Sequence, residues 1–260
     1  MYPQIARCAR HVPEYSASQL PGLVTCTRAR PGNEPHLRKV TRRMSLATDL
    51  SAFTDRASAR MPEEHSRAIS KSIEDFARTW DPVNAINAGQ PFPDFSLPDA
   101  TGKQVSMKGL LAKGPLLISF YRGEWCPYCN MALKALQGSL PAIEARGVTL
   151  VAISPELPDR SLTMQEKHEL QFPVLSDAGN NLARKLGIVF QQPDTLRPVM
   201  EAHGVDLKAR NGDDSYEVPF PASYLVDSEG MIRNAFLDPD YTRRLEPSTA
   251  LGWIDEMQQR

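Results

Sequence analysis

Hydrophobic residues in the first third of the chain recur at helical spacing. Between residues 45 and 80 they form two stripes, each spaced so that its side chains share one face of a helix. Pro62, followed by Glu63 and Glu64, suits the first turn of a second helix, since acidic groups favour the positive end of a helix. The stripes are Leu46, Leu50, Phe53 and Ala57, then Ile69, Ile73, Phe76 and Trp80. We predict two helices, which either pack on the main domain, the simpler expectation, or form a dimer contact.

After Gly89 the pattern becomes that of an α/β domain. Apolar runs at 115–121 and 148–153 are typical of buried strands, and a helical stripe between them completes a βαβ unit. The other predicted elements are strands at 92–97, 105–107, 172–175, 222–226 and 231–236, and helices at 180–186 and from Pro247 onward, the last with Leu251, Ile254 and Met257 facing inward. The sequence therefore predicts an α/β fold with a central mixed sheet flanked by helices, a helical extension at 44–88 and a main domain at 89–260.

The first 43 residues differ from the rest in composition. They contain eight basic and two acidic residues, whereas the remainder contains 22 basic and 29 acidic ones. They also contain five prolines and show no sustained periodicity, so we predict a disordered basic leader. It is either an organelle presequence or an upstream extension that precedes a natural start at Met44.

Composition excludes several functional classes. The 30 basic residues nearly balance the 31 acidic ones, which argues against a dedicated nucleic-acid-binding protein. The longest apolar run, at 115–121, is too short to span a membrane and is interrupted by Ser119. Four cysteines are too few for a disulfide-stapled secreted scaffold. We expect a reducing compartment, the cytoplasm, unless the leader directs the chain to an organelle.

Two cysteines three positions apart give the clearest chemical signal. Cys126 and Cys129 follow a predicted buried strand and open a predicted helix. Unpaired amide hydrogens and the dipole at a helix N-terminus favour a thiolate, so we expect Cys126 to be a nucleophile. Pro127 suits the first helical turn, and Cys129 lies one turn further on nearly the same face. Cys129 is therefore expected to attack a sulfenic acid or mixed disulfide formed at Cys126.

Three other interpretations of this pair are open. A structural zinc site would need two more ligands, and Cys8, Cys26 and His36 lie in the predicted leader. Two inert buried thiols are a second possibility, although the neighbours Trp125 and Arg122 are not typical of core cysteines. The third is a binding module that has kept the pair without catalysing a reaction.

Two histidines outside the pair are candidate bases. His168 lies on a predicted exposed helix face and His203 precedes Gly204 at a predicted helix end, so we expect surface or capping roles for both. The chain has no glycine-rich phosphate-binding loop, so no nucleotide cofactor is implied.

The residues around the pair resemble a known family. The order of elements resembles the thioredoxin fold: a strand, then Trp125 and the tetrapeptide CPYC at 126–129, then a helix. CPYC is also the active-site tetrapeptide of glutaredoxins. The segments PFPDFSL at 91–97, SFYRGEWC at 119–126 and PASYLVD at 221–227 resemble the alkyl hydroperoxide reductase and thiol-specific antioxidant (AhpC/TSA) family, in its peroxiredoxin-like branch with a CxxC motif. Residues 240–247 also resemble that branch. The resemblance runs from about Met44 to the C-terminus.

The resemblance implies a role for Pro221 and also exposes departures. Pro221 matches the cis-proline that faces the active-site sulfur in thioredoxin-fold proteins. Peroxiredoxins typically have a proline seven residues, and a threonine or serine three residues, before the reactive cysteine. Here those positions hold Ser119 and Gly123. The arginine usual near the later strand is also out of register, which leaves Arg122 as the residue expected to stabilise the Cys126 thiolate or orient the substrate.

By this resemblance, we predict a thiol-dependent peroxidase that needs no metal or organic cofactor. Cys126 would attack a hydroperoxide, and Cys129 would close a disulfide that a thioredoxin- or glutathione-type reductant opens. Trp125, Pro127 and Pro221 would support the site, and a homodimer is possible. The alternatives are a thioredoxin- or glutaredoxin-like disulfide reductase, which CPYC and Pro221 favour, and a non-enzymatic redox sensor or binding module that uses the 45–80 helices.

Overall fold

The computed structural model describes residues 45–259, so the predictions made for the basic leader lie outside the described residues. Two helices open this part of the chain, α1 (Leu46–Arg60) and α2 (Glu63–Thr79), as the hydrophobic stripes predicted. The Ser45 hydroxyl accepts a hydrogen bond from the backbone N–H of Thr48 and caps α1, and Pro62 is the N-cap of α2. We call α1 and α2 the helical hairpin.

A five-stranded mixed sheet forms the centre of the fold, in the order β5-β4-β3-β8-β9. Its strands are β3 (Leu116–Phe120), β4 (Thr149–Ser154), β5 (Val174–Ser176), β8 (Ala222–Val226) and β9 (Ile232–Leu237). β3, β4 and β5 are parallel, and β8 pairs antiparallel with both β3 and β9. Helix α4 (Pro127–Glu144) connects β3 to β4, which confirms the predicted βαβ unit.

Alternating residues of β3 face two hydrophobic cores, one on each side of the sheet. Leu116 and Ile118 belong to one core, and Leu117 belongs to the other together with the two cysteines. Helix α4 packs on the second face beside α9 (Pro247–Gln258), where Ile254 is fully buried. Leu251 and Met257 of α9 are half-buried against that core. The predicted sheet flanked by helices is therefore confirmed.

The short elements differ most from the predictions. The strand predicted at 92–97 is reduced to β1 (Ser96–Pro98), and Met107 starts a helix rather than ending a strand. Helix α4 contains Pro141 and continues through it to Glu144. The other elements are β2 (Gln104–Ser106), α3 (Met107–Leu111), α5 (Pro158–Lys167), α6 (Asn181–Lys185), β6 (Val189–Gln191), α7 (Arg197–Ala202), α8 (Leu207–Asn211) and β7 (Glu217–Pro219). Apart from α5, these elements are only three to six residues long, which is too short for a clear hydrophobic period; α6 and β2 nevertheless lie close to the predicted helix 180–186 and strand 105–107.

The helical hairpin packs on the rest of the described chain, which is the simpler of the two predicted arrangements. Leu46 and Leu50 of α1 pack against Ala132 of α4, and the Glu246 carboxylate accepts hydrogen bonds from the first two amides of α1. Just after the end of α2, the ring of Trp80 packs edge-on against the ring of Phe220, with 4.9 Å between the ring centres. Among residues 45–259, no helix combines the length and hydropathy needed to cross a bilayer.

Candidate active site

The two cysteines lie where β3 passes into α4, as the sequence predicts. Cys126 is the N-cap residue of α4 with extended backbone angles (φ −91°, ψ 108°), and Pro127 occupies the first helical position. The backbone N–H of Cys126 donates to the carbonyl of Gly123 at 3.1 Å and closes the loop that precedes the helix. Cys129 follows one turn later, so the fold brings both sulfurs to one face of the helix start.

Both cysteines are free thiols, each about 1% exposed. Cys129 accepts two hydrogen bonds at its sulfur, from the backbone N–H of Arg122 and from Nη2 of Arg244, each at 3.4 Å. Burial and the contact with Cys129 raise the pKa of Cys126 well above its ordinary value. Burial would also raise the pKa of Cys129, but the hydrogen bond from Cys126 and the charges of Arg244 and Arg122 outweigh it, and the pKa lies well below its ordinary value.

This distribution corrects one sequence prediction. The helix N-terminus was expected to lower the pKa of Cys126, whereas the hydrogen-bond donors converge on the Cys129 sulfur and it is the pKa of Cys129 that is lowered. The reason is that donors aimed at the Cys129 sulfur at short range stabilise a negative charge there more than the diffuse dipole at the N-cap. Because each thiol changes the pKa of the other, deprotonation is a property of the pair.

The Arg122 side chain lies between two aromatic rings and is only 5% exposed. Its guanidinium carbon is 4.6 Å from the ring centre of Trp125 and 3.8 Å from that of Tyr241. Nε and Nη1 are buried and have no hydrogen-bond partner within the described residues. A buried guanidinium with free donors is costly, and the contacts with the two aromatic rings offset part of this cost.

Gly123 explains why the family's hydroxyl residue is missing here. The residue has φ +145°, a conformation that L side chains rarely adopt. A Cβ at this position would lie 2.3 Å from Nε1 of Trp125 and 2.9 Å from Cδ of Glu156. No threonine or serine fits between these groups, so any oxygen contact must come from other residues.

A buried ionic network, which the sequence analysis missed, holds the loop before Cys126. The backbone N–H of Glu124 donates to Glu156 at 2.7 Å, and Arg210 donates to Glu156 at 3.1 Å and to Glu124 at 3.3 Å. Lys167 pairs with Glu124 as well. Glu156 is completely buried, and burial raises its pKa to about 7 despite these partners.

Glu156→Gln tests this network through the pH dependence of stability. The wild-type carboxyl keeps its proton in the folded state up to about pH 7 and loses it near 4.5 when unfolded. The free energy of unfolding should therefore fall by about 2.6 kcal/mol as the pH rises from 4.5 to 7. Glutamine cannot titrate, so urea unfolding of Glu156→Gln should lack this decline, whereas Glu144→Gln, at an exposed position, should keep it. Parallel pH profiles for wild type and Glu156→Gln would contradict the assignment.

A cavity of about 320 Å³ lies between the helical hairpin and the cysteine loop; we call it the site cavity. Its walls come from α1, α2, the segment 192–205 and residues 122–128 and 241–242. Cys126 lines it, whereas Cys129 lines a cavity of about 10 Å³ on the other side, together with Pro221 and Arg244. A molecule in the site cavity therefore meets Cys126 first.

The remaining predicted site residues are distributed between these two cavities. Trp125 and Pro127 line the site cavity. Pro221 lines the small cavity together with Cys129, and its peptide bond with Phe220, whose isomer the sequence leaves open, is trans. His168 and His203 occupy the C-cap positions of α5 and α7, as expected for capping residues.

Sequence analysis missed Arg244, Tyr241 and Glu156 as functional residues. Arg244 and Tyr241 lie in the segment 240–247 that carried part of the resemblance, and this was the only signal that pointed to them. No signal pointed to Glu156, because an isolated glutamate after a strand gives no indication of burial.

Comparison with known proteins agrees with this geometry. The model of the AhpC/TSA family matches residues 88–235, more than half of the chain. The peroxiredoxin Bcp of Escherichia coli (strain K12) is 24% identical over 174 residues, which are 67% of this chain and 99% of that protein. The chloroplastic peroxiredoxin Q of Populus jackii is 31% identical over 144 residues, 55% of this chain and 67% of that protein.

A solved structure shows the same fold. The peroxidoxin BcpB from Mycobacterium tuberculosis superposes on this chain with a TM-score of 0.52 and 18% sequence identity. The superposed region is 66% of this chain and 98% of BcpB. This likeness confirms the predicted thioredoxin-like fold, and the family match confirms the resemblance seen in the segments around the cysteine pair. The chain is a member of the AhpC/TSA family.

Proposed function

We propose that the protein is a thiol-dependent peroxidase that reduces hydroperoxides through a dithiol and disulfide cycle of Cys126 and Cys129. One observation carries the proposal: two free cysteines lie one turn apart at the start of a helix, and the first of them lines a cavity together with the buried Arg122. Membership of the AhpC/TSA family and the peroxiredoxin relatives support the same chemistry.

The first step starts from the reduced pair with the charge on Cys129. A hydroperoxide enters the site cavity, which Cys126 and Arg122 line together, and the positive charge of Arg122 stabilises the negative charge that develops on the peroxide oxygens. Cys129 takes the proton of Cys126, and the Cys126 thiolate attacks the terminal peroxide oxygen. The O–O bond breaks, the leaving oxygen takes up a proton as an alcohol or water, and Cys126 becomes a sulfenic acid.

The second step regenerates a state that a reductant can open. Cys129 attacks the sulfur of the sulfenic acid, one water leaves, and the Cys126–Cys129 disulfide forms. A thioredoxin- or glutathione-type dithiol or thiol then supplies two electrons and returns the pair to thiols. Such a cycle operates in a reducing compartment, for which we propose the cytoplasm, or an organelle if residues 1–43 act as a presequence. A homodimer is compatible with this scheme but is not required by it.

A disulfide reductase is the second candidate, and the CPYC tetrapeptide favours it. In that reaction Cys126 would attack a protein or glutathione disulfide rather than a peroxide. The helical hairpin over Cys126 leaves a cavity suited to a small molecule, and a protein disulfide would need the hairpin to move away. A redox sensor or binding module would oxidise in the same way but would not turn over.

A competition between two oxidants tests the proposal. The reduced protein is mixed with equal concentrations of hydrogen peroxide or oxidised glutathione, and the loss of two mass units at residues 126–129 is followed by quenched-flow mass spectrometry. We expect oxidation by peroxide to be at least tenfold faster. Faster oxidation by the disulfide would replace the peroxidase by a reductase, and oxidation without turnover in the presence of thioredoxin, thioredoxin reductase and NADPH would indicate a sensor.

A further inference from the structure

The peptide of Glu124, two residues before Cys126, is held on both sides. Its N–H donates to the Glu156 carboxylate at 2.7 Å, and its carbonyl accepts a hydrogen bond from the side-chain amide of Asn130 at 2.9 Å. Asn130 lies in the first turn of α4, and Glu156 lies just beyond the end of β4. The loop 122–126 is thereby tied both to the sheet and to the helix that it opens.

The same loop carries groups that act on the two sulfurs. The backbone N–H of Arg122 donates to the Cys129 sulfur at 3.4 Å. Trp125 follows Glu124, and the centre of its ring is 4.6 Å from the guanidinium carbon of Arg122. Cys126 and Arg122 line the site cavity together. The position of the Glu124 peptide therefore affects where the Arg122 charge and the Cys126 sulfur meet a substrate.

The Glu156 carboxylate is itself held rigidly. It is completely buried, and Gly123 lies so close that a Cβ at Gly123 would be 2.9 Å from Cδ of Glu156. Arg210 of α8 donates to the carboxylate at 3.1 Å, and the backbone carbonyl of Arg210 accepts a hydrogen bond from the N–H of Leu157 at 2.9 Å. Helix α8 thus holds residue 156 through its side chain and through the next peptide.

Both groups that bond to the Glu156 carboxylate are donors. A proton on either oxygen removes an acceptor that Glu124 or Arg210 needs, and hydrogen bonds to a neutral carboxyl are weaker than those to a carboxylate. The loop should therefore be held more firmly when Glu156 is charged. Because burial raises the pKa of Glu156 to about 7, both forms are present near neutral pH.

The other titratable or charged groups around this carboxylate come from four parts of the chain. Arg210 belongs to α8, and Lys167 at the end of α5 pairs with Glu124 of the loop. Tyr121, directly after β3, stays neutral because burial raises its pKa. His168 follows Lys167, and burial together with the charge of Lys167 lowers its pKa. Since an ordinary histidine titrates near neutral pH, His168 is the group to exclude.

We propose that Glu156 is a positioning residue that fixes the loop 122–126 for the attack of Cys126, supported by Arg210, and that its ionisation speeds this attack. The inference rests on the proposed peroxidase function and adds a control of that reaction by pH. Glu156 does not line the site cavity, so it acts through the Glu124 peptide and not on the substrate.

Glu156→Gln tests the proposal, because an amide resembles the protonated carboxyl and cannot ionise. We measure kcat/KM for hydrogen peroxide and the rate of iodoacetamide alkylation at Cys126, identified by peptide mass, as a function of pH. The variant should match wild type within about twofold near pH 5.5 and be about tenfold slower near pH 8.5. Glu166→Gln, at an exposed position on α5, should follow wild type throughout.

Two further variants identify the group that titrates. Arg210→Gln removes a charge that lowers the pKa of Glu156 against the larger effect of burial, so the rise in rate should move to higher pH. Lys208→Gln, at an exposed position on the same helix, should leave the rise in place. His168→Gln should also keep it, and its loss there would assign the titration to the histidine and overturn the inference.

Urea unfolding checks that each variant is folded before rates are compared, and Arg210→Gln decides alone if Glu156→Gln does not fold. A loss in Glu156→Gln that is equal at every pH would overturn the inference, because a general structural change slows the reaction whatever the pH. If no peroxide is reduced but alkylation follows the expected profile, the peroxidase proposal fails and the positioning role stands. If peroxide is reduced and the profiles of wild type and Glu156→Gln coincide, the positioning role fails and the peroxidase stands.

Discussion

Cys126→Ser should abolish peroxide turnover, with a loss of at least a thousandfold in kcat/KM. A serine hydroxyl at this position stays protonated at neutral pH and cannot form the sulfenic acid on which the cycle depends. Cys126 is the sulfur that lines the site cavity, so no other thiol of the pair can meet the substrate there directly. The measurement is the thiol-dependent consumption of hydrogen peroxide and cumene hydroperoxide.

Cys129→Ser is the matched variant, because it removes the second sulfur and keeps the first. It should still oxidise at Cys126, more slowly because the proton acceptor is lost, and gain 16 mass units instead of losing two. With excess peroxide it should proceed to a gain of 32, since no neighbouring sulfur traps the sulfenic acid. If Cys129→Ser lost oxidation completely while Cys126→Ser retained it, the two roles would be exchanged.

The strand-to-helix position of the cysteine pair could be predicted from the sequence because its causes are local. The apolar run at 115–121 is long enough to identify a buried strand, and the stripe that includes Leu133 and Leu136 has a clear helical period. A proline at the first helical position then fixes the boundary at residue 127. These three signals all lie within thirty residues of one another.

The electrostatics of the pair could not be predicted, because they depend on groups that are distant in the sequence. Arg244 contacts the Cys129 sulfur across 115 positions, and Arg210 reaches Glu156 across 54. The helix-dipole argument pointed to Cys126 as the thiolate, but only the packed structure shows which sulfur has the donors. The contact between Tyr241 and Arg122 could not be predicted either, because these residues are also distant in the sequence.

The site cavity also lies beyond sequence reasoning. The helical stripes predicted that α1 and α2 would bury one face each, and they do pack on the main domain. An amphipathic pattern predicts that the apolar face of a helix packs against other residues. It does not predict that the packing is incomplete and leaves a cavity next to Cys126. The space depends on which side chains meet from five separate stretches of the chain: α1, α2, 122–128, 192–205 and 241–242.

Arg244→Gln should make the reduced cysteine pair react more slowly as a nucleophile and make its disulfide a weaker oxidant. In the wild type, the charged guanidinium donates to the Cys129 thiolate at 3.4 Å, and a hydrogen bond to a charged group contributes roughly 1.5–3 kcal/mol. Its loss should slow alkylation of the reduced pair by iodoacetamide at pH 7 about fiftyfold, which corresponds to about 2.3 kcal/mol. Arg243→Gln, at the exposed neighbouring position, should leave the rate unchanged.

The same contact should affect the balance between the reduced and oxidised forms. Disulfide formation removes the thiolate and leaves the two arginines without an anion, so the wild-type disulfide should be easier to reduce than that of Arg244→Gln. A difference of about 2.3 kcal/mol corresponds to about 50 mV in a glutathione redox titration. The pKa of Cys129 is lowered in the folded protein, so the ionised Cys129 stabilises the reduced form. This stabilisation is complete above the ordinary thiol pKa of 9.0 and is lost as the pH falls through the pKa of Cys129 in the folded protein. The gap between the two proteins should therefore narrow at acidic pH, and a gap that stayed constant with pH would show that Arg244 acts through packing rather than through the thiolate.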